Sequence, residues 1–453
     1  MKGLFGTDGI RGKANSYPMT PEIAFRLGRA LAYYCNRKKG IIGGCRIIIG
    51  KDTRLSGYML EHSLVGGITS IGAKALLVGP MPTPAMAFLV QSMRADAAIV
   101  ISASHNHYED NGLKLFSSHG TKFPYEVEEK LEELILQEKI DNIRAYGANI
   151  GKAYRIKDAN GRYIVFAKST FPQALSLSGL KIAIDCANGA SYQIAPTIFG
   201  DLGAEVSAYG ISPDGTNINK DCGALYPENI AGKTIEKNAD IGIAFDGDGD
   251  RAIFSDEKGN IVDGDMVMLI LAKQMQKDGT LKNNTVVATI MSNLGLETGL
   301  REIGIELIRT DVGDRNVAIK MCQVGSYLGG EQSGHIILSE LLPTGDGIIT
   351  ALALFSAMLK TGRKLSELTS NFHKFPQKIV SIDVKEKKPI KEMKQFGIAI
   401  DNARRILKTG RIIFRYSGTE NKARIMIEGD SRRLIDEICR NLISAIKREE
   451  ICV

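Results

Sequence analysis

One pattern restricts this chain more than any other: a short apolar strand, a helix, a glycine and a second short strand, met three times. Arg46-Ile47-Ile48-Ile49-Gly50 leads into a helical stretch from Gly57 to Ile71, followed by Gly72 and a strand to Val78. Lys181-Ile182-Ala183-Ile184-Asp185 leads into Ala190 to Leu202, then Gly203 to Val206. Thr285-Val286-Val287-Ala288-Thr289 leads into Leu294 to Ile303, then Gly304 to Ile308. Parallel strands need a crossover of this kind, so each copy predicts a βαβ unit. The copies lie too far apart for a solenoid, whose repeats run about 20–50 residues. The expected fold class is therefore α/β: three related α/β domains with mixed, largely parallel sheets, plus a smaller C-terminal α+β domain, set around a central cleft.

The last portion carries the α+β expectation. Ile379 to Val384 alternates like a half-buried strand, and Ile390 to Leu407 is compatible with a helix. Arg411 to Arg415 and Ala423 to Ile427 read as strands flanking a polar turn, and an amphipathic helix runs from Arg432 to Lys447. The expected division is 1–152, 153–255, 256–370 and 371–453. No low-complexity linker separates these parts.

With 44% hydrophobic and 24% charged residues the composition is that of a soluble globular protein. The net charge of +7 raises the question of nucleic acid. From Asn371 onward 19 Lys and Arg face 11 Asp and Glu, whereas the first 370 residues are balanced at 39 against 40. That C-terminal surplus suits a small phosphorylated ligand as well as a polyanion. Trp is absent and no zinc-finger, RNP-type or basic heptad segment occurs, so neither a nucleic-acid partner nor a membrane is expected. Seven cysteines form no C-x-x-C pair, which fits a reducing cytoplasm.

Four polar loops hold the candidate chemistry. The first follows the apolar strand Ala97 to Ile101: Ser102-Ala103-Ser104-His105-Asn106, then Asp110-Asn111-Gly112-Leu113-Lys114. Ligands gather at the carboxyl ends of strands in open α/β sheets. The same loop also reads as an ordinary polar turn. The second follows Ile241 to Phe245: Asp246-Gly247-Asp248-Gly249-Asp250-Arg251. Alternate carboxylates suggest an EF-hand, but Arg251 stands where that loop needs glycine, and a strand precedes it instead of a helix. Three carboxylates folded tightly around two glycines repel one another, and a hard cation relieves that. A solvated acidic turn is the alternative.

The third loop, Gly329-Gly330-Glu331-Gln332-Ser333-Gly334-His335, offers hydrogen-bonding groups for sugar hydroxyls and an imidazole that can move a proton. The fourth, Arg415-Tyr416-Ser417-Gly418-Thr419-Glu420-Asn421, combines hydroxyls, a glycine and guanidinium groups at Arg415 and Arg424, which makes an anion nest or a plain hairpin turn. No G-x-x-x-x-G-K-[ST] segment occurs, which argues against a nucleotide-driven kinase.

In this order, and over essentially the whole chain, the four loops resemble the α-D-phosphohexomutase family, whose members isomerise sugar phosphates. Gly6-Thr7-Asp8-Gly9-Ile10-Arg11-Gly12, Gln332 in the third loop, Pro213 to Asn219 and Cys222-Gly223-Ala224 are similar to the branch that acts on glucosamine phosphates. The resemblance implies interconversion of glucosamine 6-phosphate and glucosamine 1-phosphate through a phosphoserine at Ser104 and a bisphosphorylated sugar. It implies Mg²⁺ held by Asp246, Asp248, Asp250 and a phosphate oxygen on Ser104. Arg11, Lys114, Arg251 and His335 would surround the transferring group, with Lys114 or His335 carrying the proton. Glu331 and Ser333 would read the sugar, and Arg415, Ser417, Gly418, Thr419 and Arg424 would clamp the other phosphate. Glucosamine or glucose 1,6-bisphosphate is the implied activator, a small phosphosugar the partner, and a homodimer is left open. His107, Tyr226 and Asn421 depart from the branch, which usually has Pro, His and Pro there. These departures bear on substrate preference and rate. The alternatives are the same chemistry on mannose or glucose phosphates, a phosphatase, and a non-catalytic sugar-phosphate-binding protein.

Overall fold

The computed structural model describes residues 3–6, 8–39, 44–137, 139–416, 421–449 and 451–452. Its strands form four sheets. The first contains β1 (Ile10–Lys13), β2 (Arg46–Lys51), β3 (Lys74–Pro80), β4 (Ala97–Ile101), β5 (Asp110–Ser117) and β6 (Ala153–Arg155). The second contains β7 (Lys181–Asp185), β8 (Glu205–Tyr209), β9 (Ile241–Phe245), β10 (Ala252–Asp256) and β11 (Ile261–Val262). The third contains β12 (Thr285–Thr289), β13 (Glu306–Thr310), β14 (Leu328–Gly330) and β15 (Ile336–Leu338), and the fourth β16 (Gln377–Asp383), β17 (Arg411–Tyr416) and β18 (Lys422–Glu428).

The recurring pattern has a stronger counterpart in space. In the first sheet the central order is β3-β2-β4-β5; in the second it is β8-β7-β9-β10; in the third it is β13-β12-β14-β15. In each, three strands run parallel and the fourth turns back antiparallel. One topology is thus used three times, as mixed and largely parallel sheets. Two short strands from beyond the expected divisions join the preceding sheet: β6 pairs with β3, and β11 with β10. The fourth sheet is wholly antiparallel, with β18 between β16 and β17.

The central strands β4, β9 and β12 are buried at every residue, as expected of strands covered on both faces. One apolar cluster runs continuously through the first three domains, from Ile48 and Val100 through Ile184 and Phe245 to Ile336 and Phe355. The C-terminal domain has its own core, built on Phe396, Ile400, Ile425, Ile438 and Leu442. Among the described residues no helix is long and apolar enough to cross a membrane.

Three expected elements differ from those found. The helix expected from Ala190 starts at Ile194, because residues 186–193 turn toward the Asp246 loop. There Ala190 N–H donates to Gly247 O at 2.8 Å, and a Cβ on Gly189 would lie 2.4 Å from the same oxygen. The stretch expected as one helix from Ile390 to Leu407 is a single 3₁₀ turn, Ile390–Glu392, then a helix from Lys394 to Leu407. The break is at Met393, whose backbone leaves the helical region at φ −101°, ψ 82° while its side chain sits in the C-terminal core. Gly329 and Gly330 belong to a strand rather than a loop, since a Cβ on Gly329 would meet Met321 Sδ at 2.6 Å.

A joint of buried charge attaches the C-terminal domain. Glu428 is fully buried, accepts from Arg411 Nε at 2.7 Å and takes the backbone N–H of Leu294 at 2.9 Å. Arg411 also donates to the carbonyls of Ile290 and Ser292. Breaking a buried pair leaves one charge uncompensated, at a cost of about 3–5 kcal/mol. Glu428→Ala is expected to speed hydrogen exchange at 290–294 and 411–428 by about a hundredfold or more while the first two sheets keep their protection.

A second joint is titratable. Tyr163 donates to Asp346 Oδ2 at 2.5 Å, and Asp346 caps the helix Gly347–Thr361. Burial pushes the Asp346 carboxyl up to about 6, against the hydrogen bonds it accepts. The folded form therefore holds this proton more tightly than the unfolded chain. The resulting stability is complete below the ordinary value of 3.8 and is lost as pH rises through about 6. The melting midpoint of Asp346→Asn minus that of the natural protein is expected to grow across that window, as thermal denaturation at several pH values would show.

Candidate active site

The repeated topology brings the first three loops together. Each joins the third parallel strand of its sheet to the antiparallel fourth: residues 102–109 between β4 and β5, 246–251 between β9 and β10, 331–335 between β14 and β15. Ser104 Oγ donates to Asp246 Oδ2 at 2.6 Å, joining the first loop to the second. His335 Nδ1 lies 3.5 Å from Asp250 Oδ2, joining the third to the second. Ala252 N–H donates to Gly334 O at 3.1 Å beside them. All three turns border one cleft of about 470 Å³, within the ~300–1,000 Å³ range of small-molecule sites.

Ser104 is 2% exposed and sits at φ +53°, in the left-handed region that costs an L-residue roughly 1–2 kcal/mol. Its carbonyl accepts from Arg54 Nη2 and Asn219 Nδ2, both at 2.9 Å. Its N–H donates to Ser102 Oγ at 2.9 Å. His105 Nδ1 is 3.3 Å from Ser104 Oγ, and burial together with Arg251 and Arg11 lowers that imidazole to about 4.

Asp246, Asp248 and Asp250 are all buried and each offers an oxygen within 4.8 Å of the others. Burial, then Asp250 and Asp248, push the Asp246 carboxyl well up. Lys114 Nζ reaches Asp248 at 2.8 Å, Asp8 at 3.3 Å and Asp250 at 3.7 Å. Burial alone would lower its pKa, but Asp248, Asp8 and Asp250 raise it, so the side chain is an ammonium. For Asp250 burial acts upward, and Lys114 and His335 outweigh it and hold the carboxyl well below the usual range. Thr83 Oγ1 donates to Asp248 Oδ2 at 2.6 Å. Two buried oxygens, Asp248 Oδ1 and Asp250 Oδ1, accept no hydrogen bond among the described residues. An all-carboxylate set with lone pairs to spare is what a hard divalent cation requires.

A second group, Asp250, Asp314 and His335, also satisfies ligand spacing. Its charge is already answered, because Lys122 pairs with Asp314 and with Asp8, and Gly345 N–H donates to His335 Nε2 at 3.1 Å. That donation places the ring proton on Nδ1, facing Asp250. Burial would lower the His335 pKa, and Asp250 and Asp314 raise it.

Arg11 and Arg251 border the same cleft, and among the described residues the buried Nε–H of each makes no hydrogen bond, though Arg251 Nε lies 3.9 Å from Asp250 Oδ1, so both are donors available to an anion. Glu331 accepts from Gly313 N–H at 3.1 Å, with the exposed Ser333 hydroxyl 3.3 Å from its other oxygen. Arg415 and Arg424 stand directly opposite each other across β17 and β18. Burial, then Arg424, lower the Arg415 pKa, while Asp311 and Glu331 act the other way. Both arginines line a smaller pocket with Met291 and Ser381. Like charges in that position disfavour a hairpin, and an anion between them reverses the sign. Ser417, Gly418 and Thr419 lie outside the described residues.

The structure thus brings Ser104, the three aspartates, Lys114, Arg11, Arg251, His335 and Glu331 to one place. Sequence reasoning missed Asp8, Thr83, Lys122, Asp314, Arg54 and Asn219. Only Asp8 and Asn219 fall inside segments with a recognisable motif, and neither has a signal that sets it apart from loop polarity.

Four family descriptions match the chain in order. The phosphoglucomutase/phosphomannomutase alpha/beta/alpha domains I, II and III match residues 2–141, 162–259 and 263–375, and the C-terminal domain of the same family matches 379–445. A phosphoglucosamine mutase of Geobacter sp. (strain M21) is 53% identical over 431 residues, 95% of this chain and 94% of its own length. A phosphoglucomutase/phosphomannomutase family protein from Burkholderia thailandensis shares the fold at TM-score 0.79 and 23% identity, over 99% of this chain and 97% of that one. The Aspergillus fumigatus N-acetylphosphoglucosamine mutase, solved with GlcNAc-6P and magnesium, superposes at TM-score 0.67 and 17% identity over 98% and 96%.

A cation held by the three aspartates stabilises the folded form by mass action, by about 2.7 kcal/mol at a hundredfold excess over its dissociation constant. Titrating MgCl₂ is expected to raise the melting midpoint of the natural protein and to leave that of Asp250→Asn unmoved. Equal rises in both would remove the site.

Proposed function

Because this chain belongs to the phosphoglucomutase/phosphomannomutase family, we propose that its cleft interconverts glucosamine 6-phosphate and glucosamine 1-phosphate through phospho-Ser104 and a bisphosphorylated sugar. The observation that carries this reading is the Ser104 Oγ to Asp246 Oδ2 contact of 2.6 Å, which sets a hydroxyl against a buried carboxylate cluster ringed by cations.

In the first transfer the P–O bond to Ser104 Oγ breaks as a P–O bond to the free sugar hydroxyl forms. The hydroxyl proton leaves the sugar and Ser104 Oγ regains one. His335, which borders the cleft with Asp250 and Asp314 flanking its ring, is the group we assign to this exchange. Lys114, held as an ammonium by three carboxylates, serves as fixed positive charge and not as a base. Arg11 and Arg251 add donors to the transferring oxygens. Asp246, Asp248, Asp250 and a phosphoserine oxygen would hold Mg²⁺, which draws charge from those oxygens when bound. The second transfer returns the sugar's other phosphate to Ser104, so the intermediate presents its two ends in turn. Glu331 and Ser333 orient the ring hydroxyls. Arg415 and Arg424, with Ser417, Gly418 and Thr419, hold whichever phosphate is not reacting. Glucosamine or glucose 1,6-bisphosphate recharges an emptied serine. None of the seven cysteines is joined in a disulfide, which supports a reducing, cytoplasmic setting.

Charging the purified protein with glucose 1,6-bisphosphate is expected to add the mass of one phosphoryl group. Ser104→Ala should take none and lose mutase activity by at least about three orders of magnitude. Comparing kcat/KM across glucosamine, mannose and glucose phosphates tests the sugar; a preference for a neutral hexose overturns the assignment. Steady phosphate release without isomer formation would make the protein a phosphatase.

A further inference from the structure

We propose that Arg54 is the positioning residue that fixes Ser104 for phosphoryl transfer, with Asn219 as its counterpart from the second sheet; the proposal rests on Ser104 being the phosphoryl carrier. Arg54 follows β2, stands in none of the four loops, and is among the largest side chains with no exposure at all.

Every N–H of its guanidinium is used. Nε donates to Asp52 Oδ2 at 2.8 Å, Nη1 to the carbonyls of His107 and Asp110, and Nη2 to those of Ser104 at 2.9 Å and Asn106 at 2.8 Å. Five donors meet five acceptors, four of them backbone carbonyls from both ends of the serine loop. The loop is wound around this one side chain. Its partner Asp52 extends the grip, since Ser102 Oγ donates to Asp52 Oδ2 at 2.6 Å and accepts from Ser104 N–H at 2.9 Å. Both polar backbone groups of Ser104 are thereby tied to the Arg54–Asp52 pair, one directly and one through a single hydroxyl. Asn219, from the segment between β8 and β9, completes the arrangement, donating to the carbonyls of Ser104 at 2.9 Å and Asn106 at 3.2 Å.

This geometry does more than fill a hole. Ser104 occupies a left-handed conformation that its own side chain disfavours, at φ +53°. The direction of Cα–Cβ, and so of the phosphoryl group, is set by the backbone that Arg54 and Asn219 hold. Lysine cannot replace the fork, because its three donors diverge from one nitrogen and cannot reach four carbonyls in a plane. Neither residue is among those that line the cleft, so their loss should slow transfer while leaving substrate binding alone.

The natural protein, Arg54→Lys and Asn219→Ala would be compared by charging with glucose 1,6-bisphosphate, by steady-state kinetics on glucosamine 6-phosphate and by melting midpoint. Misplacing a reacting group by about 1 Å costs on the order of a hundredfold, so kcat should fall about a hundredfold in Arg54→Lys and about tenfold in Asn219→Ala, with KM within about twofold. The phosphoryl group lost to water per turnover should rise in both. An unchanged kcat with a lowered melting midpoint overturns the proposal, as does a KM that rises in step with the loss. Should Arg54→Lys not fold, Asn219→Ala decides by the same criteria. If the natural protein itself takes no phosphoryl group on Ser104 yet isomerises sugar phosphates, the reading of Ser104 fails, and the role of Arg54 with it.

Discussion

Buried charge is tolerated only where opposite charge is buried beside it, and that requirement organises the centre of this molecule. Asp248 and Asp250, buried, with half-buried Asp8 and Asp314 form the negative side, and buried Lys114 with half-buried Arg11, Lys122 and Arg251 the positive. The first three sheets all contribute. Lys114 comes from β5 of the first and neutralises aspartates of the second, while Lys122 reaches Asp314 beyond β13 of the third. None of the three could leave without stranding a charge on its neighbours. The cleft and the packing of the domains are therefore one arrangement.

The fold meets that requirement by reusing one corner. In a sheet ordered 2-1-3-4 with the last strand reversed, the turn between strands three and four lies at the carboxyl end of the parallel strands, where backbone groups are free and ligands gather. Three copies of this corner point at one another. Each carries different side chains: a hydroxyl, a carboxylate cluster, a Glu–Ser–His set. Division of labour follows from triplication of a scaffold whose functional turn is always in the same place.

Much of this is legible in the sequence alone. Strands such as Ala97–Ile101 and Thr285–Thr289 are apolar runs with polar turns at their ends, and glycines between aspartates announce convergence. The reversed fourth strands are not legible as such, because Asp110–Ser117 pairs with both β1 and β4 and no local signal says so. The same holds for side chains whose meaning lies in partners far along the chain. Lys122 and Asp314 are separated by 192 positions, and Arg54 looks like any loop arginine until the carbonyls around it are counted. Met393 shows the opposite failure: its apolar character fits a helix, and only its backbone angles show the break.

The C-terminal domain, with its separate core and its charged joint through Glu428 and Arg411, presents Arg415 and Arg424 face to face. Like charges in that register repel, Asp311 and Glu331 offset part of this at Arg415, and an anion between the two guanidinium groups would offset more. In the reaction proposed above that anion is the far phosphate of the sugar. The substrate would then act as a rivet between the two strands. On that reading, letting the product go means drawing the rivet, and turnover would be paced by how readily the fourth domain releases it.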